Sequence, residues 1–319
     1  MKAKKIVIAG GSGFLGQILT EYLTDRGVEI VVLTRGANEQ KNGANYVNWN
    51  GRSLDAWRMH LEGADALINL SGKSVNCRYT KKNKQLIYNS RLESTRVLGL
   101  ALMKAKNGPK TWINATGATI YRHVDRPMTE SNGVYGVGFT VDVCEKWERM
   151  FFSFDMPQLR KVAMRTTIVL GKEGGAFLPL RNLANMGLGG KHGNGKQMFS
   201  WIHAYDFCRA IGFAIENNEV NGIVNLGAPE QVNNTELMNE LRDAVDAPFA
   251  LPSPKWLFEV GAMFMGTETE LLLKSRWIEP EKLKEAGFHW EFPTLEKALA
   301  ELCAKDLFAA GVSKPLVAH

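Results

Sequence analysis

Short apolar runs alternate along the chain with segments in which apolar residues recur at helical spacing. Residues 5–9 form an apolar run that ends in glycine, which is typical of a buried parallel strand. Residues 12–24 follow with one apolar helical face. Further strands are predicted at residues 29–33, 66–70, 111–116, 161–166 and 223–226, and further helices at residues 91–106, 141–154 and 207–217. This alternation predicts an α/β fold with a doubly wound parallel sheet.

The pattern changes after Gly171. Glycines become dense at residues 174–175 and 187–195, around a short predicted helix at residues 178–185, and two more helices are predicted at residues 235–245 and 295–303. Because this later material interleaves with strands of the sheet, we expect a discontinuous second domain. Residues 1–172 and about 203–229 are assigned to the sheet domain, about 173–202 and 230–303 to a smaller C-terminal α/β domain, and 304–319 to a tail.

Charge and cysteine content narrow the class of protein. The net charge of +6 suits anionic ligands such as nucleotides, and a solvated basic surface explains it equally well. The densest basic run, residues 81–84, accompanies no nucleic-acid-binding module, so no nucleic-acid partner is expected. No stretch approaches the roughly 18 apolar residues of a membrane span.

The cysteines show neither CxxC pairs nor metal-ligand spacing. We therefore expect reduced thiols, a cytoplasmic location and no metal. The four residues are Cys77, Cys144, Cys208 and Cys303.

A glycine motif joins the first strand to the first helix. Gly10, Gly13 and Gly16 give the pattern G-x-x-G-x-x-G. The glycines permit a tight turn and let backbone N–H groups approach a pyrophosphate, while the helix N-terminus adds partial positive charge. A strand–helix turn without a ligand is the alternative. Its context predicts dinucleotide binding through Gly10, Gly13, Phe14, Leu15 and Gly16.

The second strand ends at Thr34 and Arg35, about where an NAD enzyme places an acidic residue for the ribose 2′-hydroxyl. A carboxylate would repel a 2′-phosphate, whereas a guanidinium pairs with it. The sequence therefore predicts NADP(H), with a solvent-exposed loop arginine as the alternative.

Several segments together make the chain resemble an extended short-chain dehydrogenase/reductase. More narrowly, it resembles the atypical NAD-dependent epimerase/dehydratase-like subfamily whose C-terminal domain is of unknown function (DUF1731 type). The resemblance runs from Ile6 to about Leu302. It rests on Ile68-Asn-Leu-Ser-Gly72, Ser90-Arg-Leu-Glu-Ser-Thr95, Val169-Leu-Gly171 with Gly174-Gly175, Gly193-Asn-Gly-Lys-Gln197, Trp201-Ile-His203 with Asp206, and Glu279-Pro-Glu-Lys-Leu283 with Gly287-Phe288.

The resemblance implies a Rossmann-type cofactor domain and further cofactor contacts. Arg91 stands where ordinary members place an active-site Asn, and a cation on the helix surface is the alternative. Arg165 either faces the nicotinamide side or terminates its strand. The implied contacts are Leu70, Ser71, Gly72, Arg91, Thr116 and Arg165.

The catalytic pair of the ordinary family is missing from this sequence. Such members use a Ser or Thr with Tyr-x-x-x-Lys, in which the Lys helps the Tyr to serve as general acid or base. Here Gly117 stands at the serine position, Thr140 at the Tyr position and Cys144 at the Lys position. The remaining candidates are Thr116, Thr119 and Tyr121, and Tyr121 also fits an ordinary loop aromatic.

Two functions follow from these observations. The first is an NADP(H)-dependent oxidoreductase of the nucleotide-sugar epimerase/dehydratase type, whose small-molecule substrate meets Gln197, Trp201 and His203. The second is a cofactor-bound sensor or scaffold without turnover, which the loss of the Tyr/Lys pair favours. A structural reading of Trp201 as core and of His203 as a helix cap also stays open.

Overall fold

The computed structural model describes residues 1–191, 193–247 and 275–304. The strands of this part are β1 Lys5–Ala9, β2 Glu29–Thr34, β3 Glu39–Lys41, β4 Ala44–Asn48, β5 Ala66–Asn69, β6 Thr111–Gly117, β7 Arg160–Thr166, β8 Ile168–Gly171, β9 Gly174–Gly175, β10 Met198–Phe199, β11 Trp201–His203, β12 Gly222–Leu226 and β13 Val232–Asn233. The α-helices are α1 Phe14–Thr24, α2 Lys81–Lys104, α3 Phe139–Phe152, α4 Phe177–Leu183, α5 Ala204–Glu216, α6 Asn234–Ala244, α7 Glu281–Glu285 and α8 Leu295–Cys303.

The main sheet has the strand order β12-β7-β6-β5-β1-β2-β4-β3. Neighbouring strands of this sheet pair in parallel, apart from β3, which runs antiparallel to β4 at the edge. Helices cover both faces of the sheet, so the predicted doubly wound α/β fold is confirmed.

The central strand β1 shows why the sheet is covered on both faces. Ile6 and Ile8 belong to the core cluster that includes α1 and α5, whereas Val7 and Ala9 belong to the cluster that includes α2. All four side chains are inaccessible to solvent. A strand buried on both faces has no polar alternation, which is the pattern seen in residues 5–9.

The chain reverses its direction of travel across the sheet beside β1. It builds outward from β1 through β2 to β4 and then returns to β5 on the other side of β1. In open parallel sheets such a reversal leaves a crevice at the carboxyl ends of the two strands, where ligands bind.

A second layer stands on the carboxyl side of the main sheet. It contains a three-stranded sheet β11-β8-β9 and the pair β10-β13, packed with α4, α6 and α8. Leu283 and Phe288, however, pack into the core on the face of the main sheet that α1 and α5 cover. The predicted domain boundaries stay a prediction, and the predicted tail beyond residue 304 lies outside the described residues. Of the helices in the described ranges, none is long and apolar enough to cross a membrane.

The structure differs from the sequence prediction in helix α2 and in several short strands, since β8, β9, β10, β11 and β13 were not predicted. Helix α2 begins at Lys81, ten residues before the predicted start, because the Thr80 hydroxyl accepts a hydrogen bond from Asn83 N and caps the first turn. The basic run is therefore the exposed start of a helix. Strands β3 and β4 were not predicted, and β4 pairs with β2 so that Asn48 lies beside Thr34.

Candidate functional site

A cleft of about 910 Å³ opens at the reversal point beside β1. It is bounded by the glycine loop, by the segments that follow β2, β4 and β5, and by one face of α2. The lining residues are Gly10, Ser12, Gly13, Leu33, Thr34, Arg35, Asn48, Trp49, Asn50, Gly51, Arg52, Leu70, Ser71, Gly72, Lys73, Ser74, Leu86, Asn89, Ser90, Glu93 and Ser94.

The glycine loop has one open position and two tightly packed ones. Gly10 has φ +78°, and a Cβ there would lie 2.8 Å from Ser71 N. A Cβ on Gly16 would lie 2.3 Å from the Cα of Gly11, so this glycine lets α1 pack against the turn. A Cβ on Gly13 would meet only Gly10 O, at 3.7 Å. Gly13 thus borders open space in the cleft, as a loop that admits a pyrophosphate requires.

Phe14 and Leu15 anchor the helix that follows. The Phe14 ring lies against Gly171, Gly174 and Gly175, where added Cβ atoms would approach it to between 2.5 and 3.0 Å. Leu15 packs against the core beneath the main sheet. Gly171, Gly174 and Gly175 therefore have a packing role, because they make room for the Phe14 ring.

The turn after β2 is held so that Arg35 faces the cleft. Thr34 Oγ1 accepts a hydrogen bond from Gly36 N at 3.3 Å, and Asn48 Nδ2 donates to Gly36 O at 2.6 Å. The Arg35 side chain is exposed and lines the cleft. Among the described residues its guanidinium has no hydrogen-bond or ion-pair partner.

The segment after β5 forms the opposite wall. Asn69 Oδ1 accepts a hydrogen bond from Ser71 N at 3.0 Å, while the buried Ser71 Oγ has no partner among the described residues. Arg91 donates to Lys73 O at 3.0 Å and its guanidinium packs on Gly72. Burial lowers the pKa of Arg91. Arg91 thus shapes this wall from behind and is not one of the lining residues.

The carboxyl ends of β6 and β7 are closed by a buried ion pair. Arg165 Nε and Nη2 donate to the two carboxylate oxygens of Glu148 at 2.8 and 2.7 Å, and Thr116 Oγ1 donates to Glu148 at 3.0 Å. The side chains of Arg165 and Glu148 are only 2% and 7% exposed. Burial alone would lower the pKa of Arg165, but the Glu148 carboxylate outweighs burial and raises it. Thr116 and Arg165 therefore lie apart from the cleft lining, and their cofactor roles stay predictions.

The candidates for acid–base chemistry are also engaged by the protein. Tyr121 is inaccessible to solvent and donates to Asn225 Oδ1 at 2.9 Å, and burial raises its pKa. Thr119 Oγ1 lies 3.5 Å from Thr140 Oγ1. Burial raises the pKa of the Cys144 thiol to about 12. None of these side chains lines the cleft in the described part of the chain.

The predicted substrate residues pack into the second layer. Trp201 is inaccessible to solvent in its core. His203 Nδ1 accepts a hydrogen bond from Tyr205 N at 3.1 Å, so His203 caps α5, and its Nε2 lies 3.0 Å from Glu301. The half-buried Gln197 accepts through its backbone from Asn234 N. Trp201 is therefore a core residue and His203 a helix cap in this structure. The substrate roles of Gln197, Trp201 and His203 stay predictions.

The sequence prediction missed one wall of the cleft. Residues 48–52 line this wall at the end of β4 and directly after it, and β4 is a short strand that pairs with β2. Glu93 and its neighbours line the cleft from α2. The one available signal was the spacing of the polar residues at positions 89, 90, 93 and 94, which a helix places on one face.

Comparison with known proteins identifies the family. The family model described as "NAD dependent epimerase/dehydratase family" matches residues 6–138, and the model of a domain of unknown function, DUF1731, matches residues 253–302. The epimerase family protein YfhF of Bacillus subtilis is 33% identical over 305 residues, covering 94% of this chain and 98% of YfhF. The chain belongs to the NAD-dependent epimerase/dehydratase family.

A relative whose structure has been solved matches nearly the whole of this chain. The human epimerase family protein SDR39U1 is 31% identical over 310 residues, covering 94% of this chain and all of the human sequence. A crystal structure of human SDR39U1 with NADPH superimposes with a TM-score of 0.84 at 29% identity, covering 94% of this chain and 99% of that chain. The resemblance to an extended short-chain dehydrogenase/reductase with a DUF1731 segment is thereby confirmed.

Proposed function

We propose that this chain binds NADP(H) in the 910 Å³ cleft and is an oxidoreductase of the nucleotide-sugar epimerase/dehydratase type. The observation that carries the proposal is that the open Gly13 position and the Arg35 guanidinium, which has no partner among the described residues, both border one cleft at the reversal point of the sheet. The crystal structure of human SDR39U1 with NADPH supports the choice of cofactor.

The residues present fit a dinucleotide. Gly13 leaves space for a pyrophosphate at the N-terminus of α1, where backbone N–H groups and the helix dipole favour anions. Ser71 Oγ offers a buried hydroxyl without a partner among the described residues. Arg35 would hold a 2′-phosphate, since it follows β2 and forms no ion pair with a carboxylate in the described part of the chain.

The chemistry of the bound cofactor is hydride transfer at the nicotinamide. The proposed enzyme does not use the usual Tyr/Lys pair, because Thr140 and Cys144 stand at those positions. We infer a small-molecule substrate, a nucleotide sugar, from the family. The four free cysteines support a cytoplasmic location.

A second candidate is a cofactor-bound sensor or scaffold without turnover. Its support is the surroundings of Cys144, which stands at the family's Lys position, and of Tyr121, a further candidate for acid–base chemistry. The Cys144 thiol has a pKa of about 12 and stays protonated at neutral pH, and the Tyr121 phenol is inaccessible to solvent.

Cofactor choice is tested by titrating the protein with NADPH and NADH. Arg35→Gln is expected to weaken NADPH binding by about 1–3 kcal/mol, the scale of a charge-assisted hydrogen bond, with little change for NADH. Lys41→Gln is the matched control, since Lys41 is an exposed cation on β3 outside the cleft lining. Equal affinity of the unmutated protein for both cofactors would refute phosphate recognition by Arg35.

Turnover is tested by adding a panel of nucleotide sugars to the protein loaded with NADP⁺ and following absorbance at 340 nm, the NADPH band. An oxidoreductase gives a change with at least one sugar, or transfers deuterium from a sugar labelled at its reacting carbon to NADP⁺. A protein that binds NADPH tightly and transfers no label from any member of the panel supports the second candidate.

A further inference from the structure

A second arginine lines the cleft close to the end of the strand that neighbours β2. We propose that Arg52 recognises the 2′-phosphate of NADPH together with Arg35, and that Glu93 competes with the phosphate for Arg52. This inference rests on the proposed function, because it requires the dinucleotide to bind in the cleft.

The backbone of Arg52 is fixed at the cleft wall. Asn50 Oδ1 accepts hydrogen bonds from Arg52 N at 2.8 Å and from Ser53 N at 2.9 Å, which closes a tight Asx-type turn. Arg96 on α2 donates to Arg52 O at 3.4 Å. The side chain therefore starts from a held position and has little backbone freedom to lose when a ligand binds.

The two arginines approach the cleft from adjacent strands. Thr34 at the end of β2 pairs with Asn48 at the end of β4. Arg35 directly follows Thr34, and Arg52 comes four residues after Asn48. Both side chains line the same cleft. Arg35 and Arg52 therefore enter this cleft from the ends of two neighbouring strands.

The charge balance of the cleft also points to an anion. Arg35, Arg52 and Lys73 are its lining cations, and Glu93 is the one carboxylate among the described residues that line it. Glu93 Oε2 accepts from Arg52 Nε at 2.7 Å. The two Nη groups of Arg52 have no hydrogen-bond partner among the described residues.

The Arg52–Glu93 pair is open to exchange. The side chain of Arg52 is 63% exposed and that of Glu93 is 34% exposed, and exposed ion pairs contribute little to stability. A phosphate dianion has more charge than Glu93 and accepts two parallel N–H bonds from one guanidinium. It therefore replaces Glu93 as the counter-ion of Arg52, whereas NADH, which lacks that phosphate, does not.

The test measures dissociation constants for NADPH and NADH, and for 2′,5′-ADP and 5′-AMP as probes of the adenosine end alone. Arg52→Gln is expected to weaken NADPH and 2′,5′-ADP about tenfold and to leave NADH and 5′-AMP within about twofold. Arg58→Gln is the matched control, because Arg58 is an exposed cation six residues further on that does not line the cleft. It is expected to change none of the four constants.

The role of Glu93 is tested in the same titrations. Glu93→Gln is expected to tighten NADPH about threefold, and this gain disappears when Arg52→Gln is also present. Unchanged NADPH affinity in Arg52→Gln would overturn the proposal and leave Arg52–Glu93 as a surface ion pair. Equal weakening of NADPH and NADH would also overturn it, since the pair would then only join the cleft walls. Failure of the unmutated protein to bind any of the four probes would instead refute the proposed function.

Discussion

Replacing Glu148 by glutamine tests the buried ion pair at the carboxyl ends of β6 and β7. The Glu148 carboxylate accepts hydrogen bonds from Arg165 Nε, Arg165 Nη2 and Thr116 Oγ1 at 2.7 to 3.0 Å. In Glu148→Gln one of the two acceptor oxygens becomes an NH2 group, which cannot accept from a guanidinium. The Arg165 charge then stays buried without its counter-ion.

The magnitude follows from that burial. Removing one partner of a buried ion pair costs about 3–5 kcal/mol, because the remaining charge is left in a medium of low dielectric constant. Glutamine keeps the volume of the side chain and one acceptor, so the lower end, about 3 kcal/mol, is expected. Such a loss lowers the melting temperature by about 4–5 °C in a chain of 319 residues.

Thermal melting and urea unfolding of the unmutated protein and Glu148→Gln measure the effect. The matched comparison is the double variant Arg165→Met, Glu148→Leu, which replaces both charges by apolar groups and is expected to recover at least half of the loss. A stability for Glu148→Gln within about 0.5 kcal/mol of the unmutated protein would refute the reasoning, since it would mean that solvent reaches the Arg165 guanidinium.

The same double variant separates two roles for Arg165. If Arg165 only supports the fold, the double variant binds NADPH with an unchanged dissociation constant. If Arg165 contacts the cofactor, as the resemblance to the family implies, NADPH binding weakens although the protein is folded.

Two further predictions concern the glycine loop and the acidic end of α6. Gly13→Ala is expected to weaken NADPH binding at least tenfold at nearly unchanged stability, because its Cβ enters the open cleft. Gly16→Ala is expected to destabilise the fold, because its Cβ would lie 2.3 Å from the Cα of Gly11. Equal losses of stability in the two variants would contradict this prediction. Burial and neighbouring carboxylates, Glu230 among them, raise the pKa of Glu240 from 4.5 to about 6. The folded state therefore binds a proton on Glu240 more tightly than the unfolded state does. The resulting stabilisation is present below pH 4.5 and is lost as the pH rises through 6. Glu240→Gln should therefore stabilise the protein at pH 7.5 by about 1 kcal/mol after allowance for solvent screening, and by nothing at pH 4, as urea midpoints at the two pH values would check.

The part of the cleft formed by the glycine loop and the end of β2 could be predicted from the sequence. The apolar run of β1, the glycine motif and the apolar face of α1 are contiguous, so residues 5–24 carry their own signal. Arg35 could be placed at the sheet edge because it directly follows β2. Its exposure to the cleft agrees with that placement.

The other half depends on contacts between distant segments. Strand β4 forms by pairing with β2, so Arg52 had no local signal. His203 has its partner Glu301 98 residues away, and an aromatic such as Trp201 fits a core and a pocket equally well by pattern. The packing of Phe14 on Gly171, Gly174 and Gly175 was likewise hidden, because these glycines lie far from Phe14 in the sequence.

The two ends of the sheet's carboxyl edge differ in whether their arginine side chains are exposed in a cleft or buried in an ion pair. Around β1, β2 and β4 the lining arginines face an open cleft, and their charge is available to an anionic ligand. At β6 and β7 the arginine is neutralised by Glu148, and the phenol of Tyr121 donates to Asn225. A proton transfer near a nicotinamide needs a group whose pKa lies near the working pH and that reaches the reacting atom. Among the described residues at that end, the Tyr121 phenol and the Cys144 thiol have raised pKa values and neither lines the cleft. The described part of the chain therefore combines an open cleft at β1, β2 and β4 with two acid–base candidates, Tyr121 and Cys144, that are buried away from it. For the oxidoreductase proposed above, we expect the proton to come from the substrate or from water rather than from these two groups.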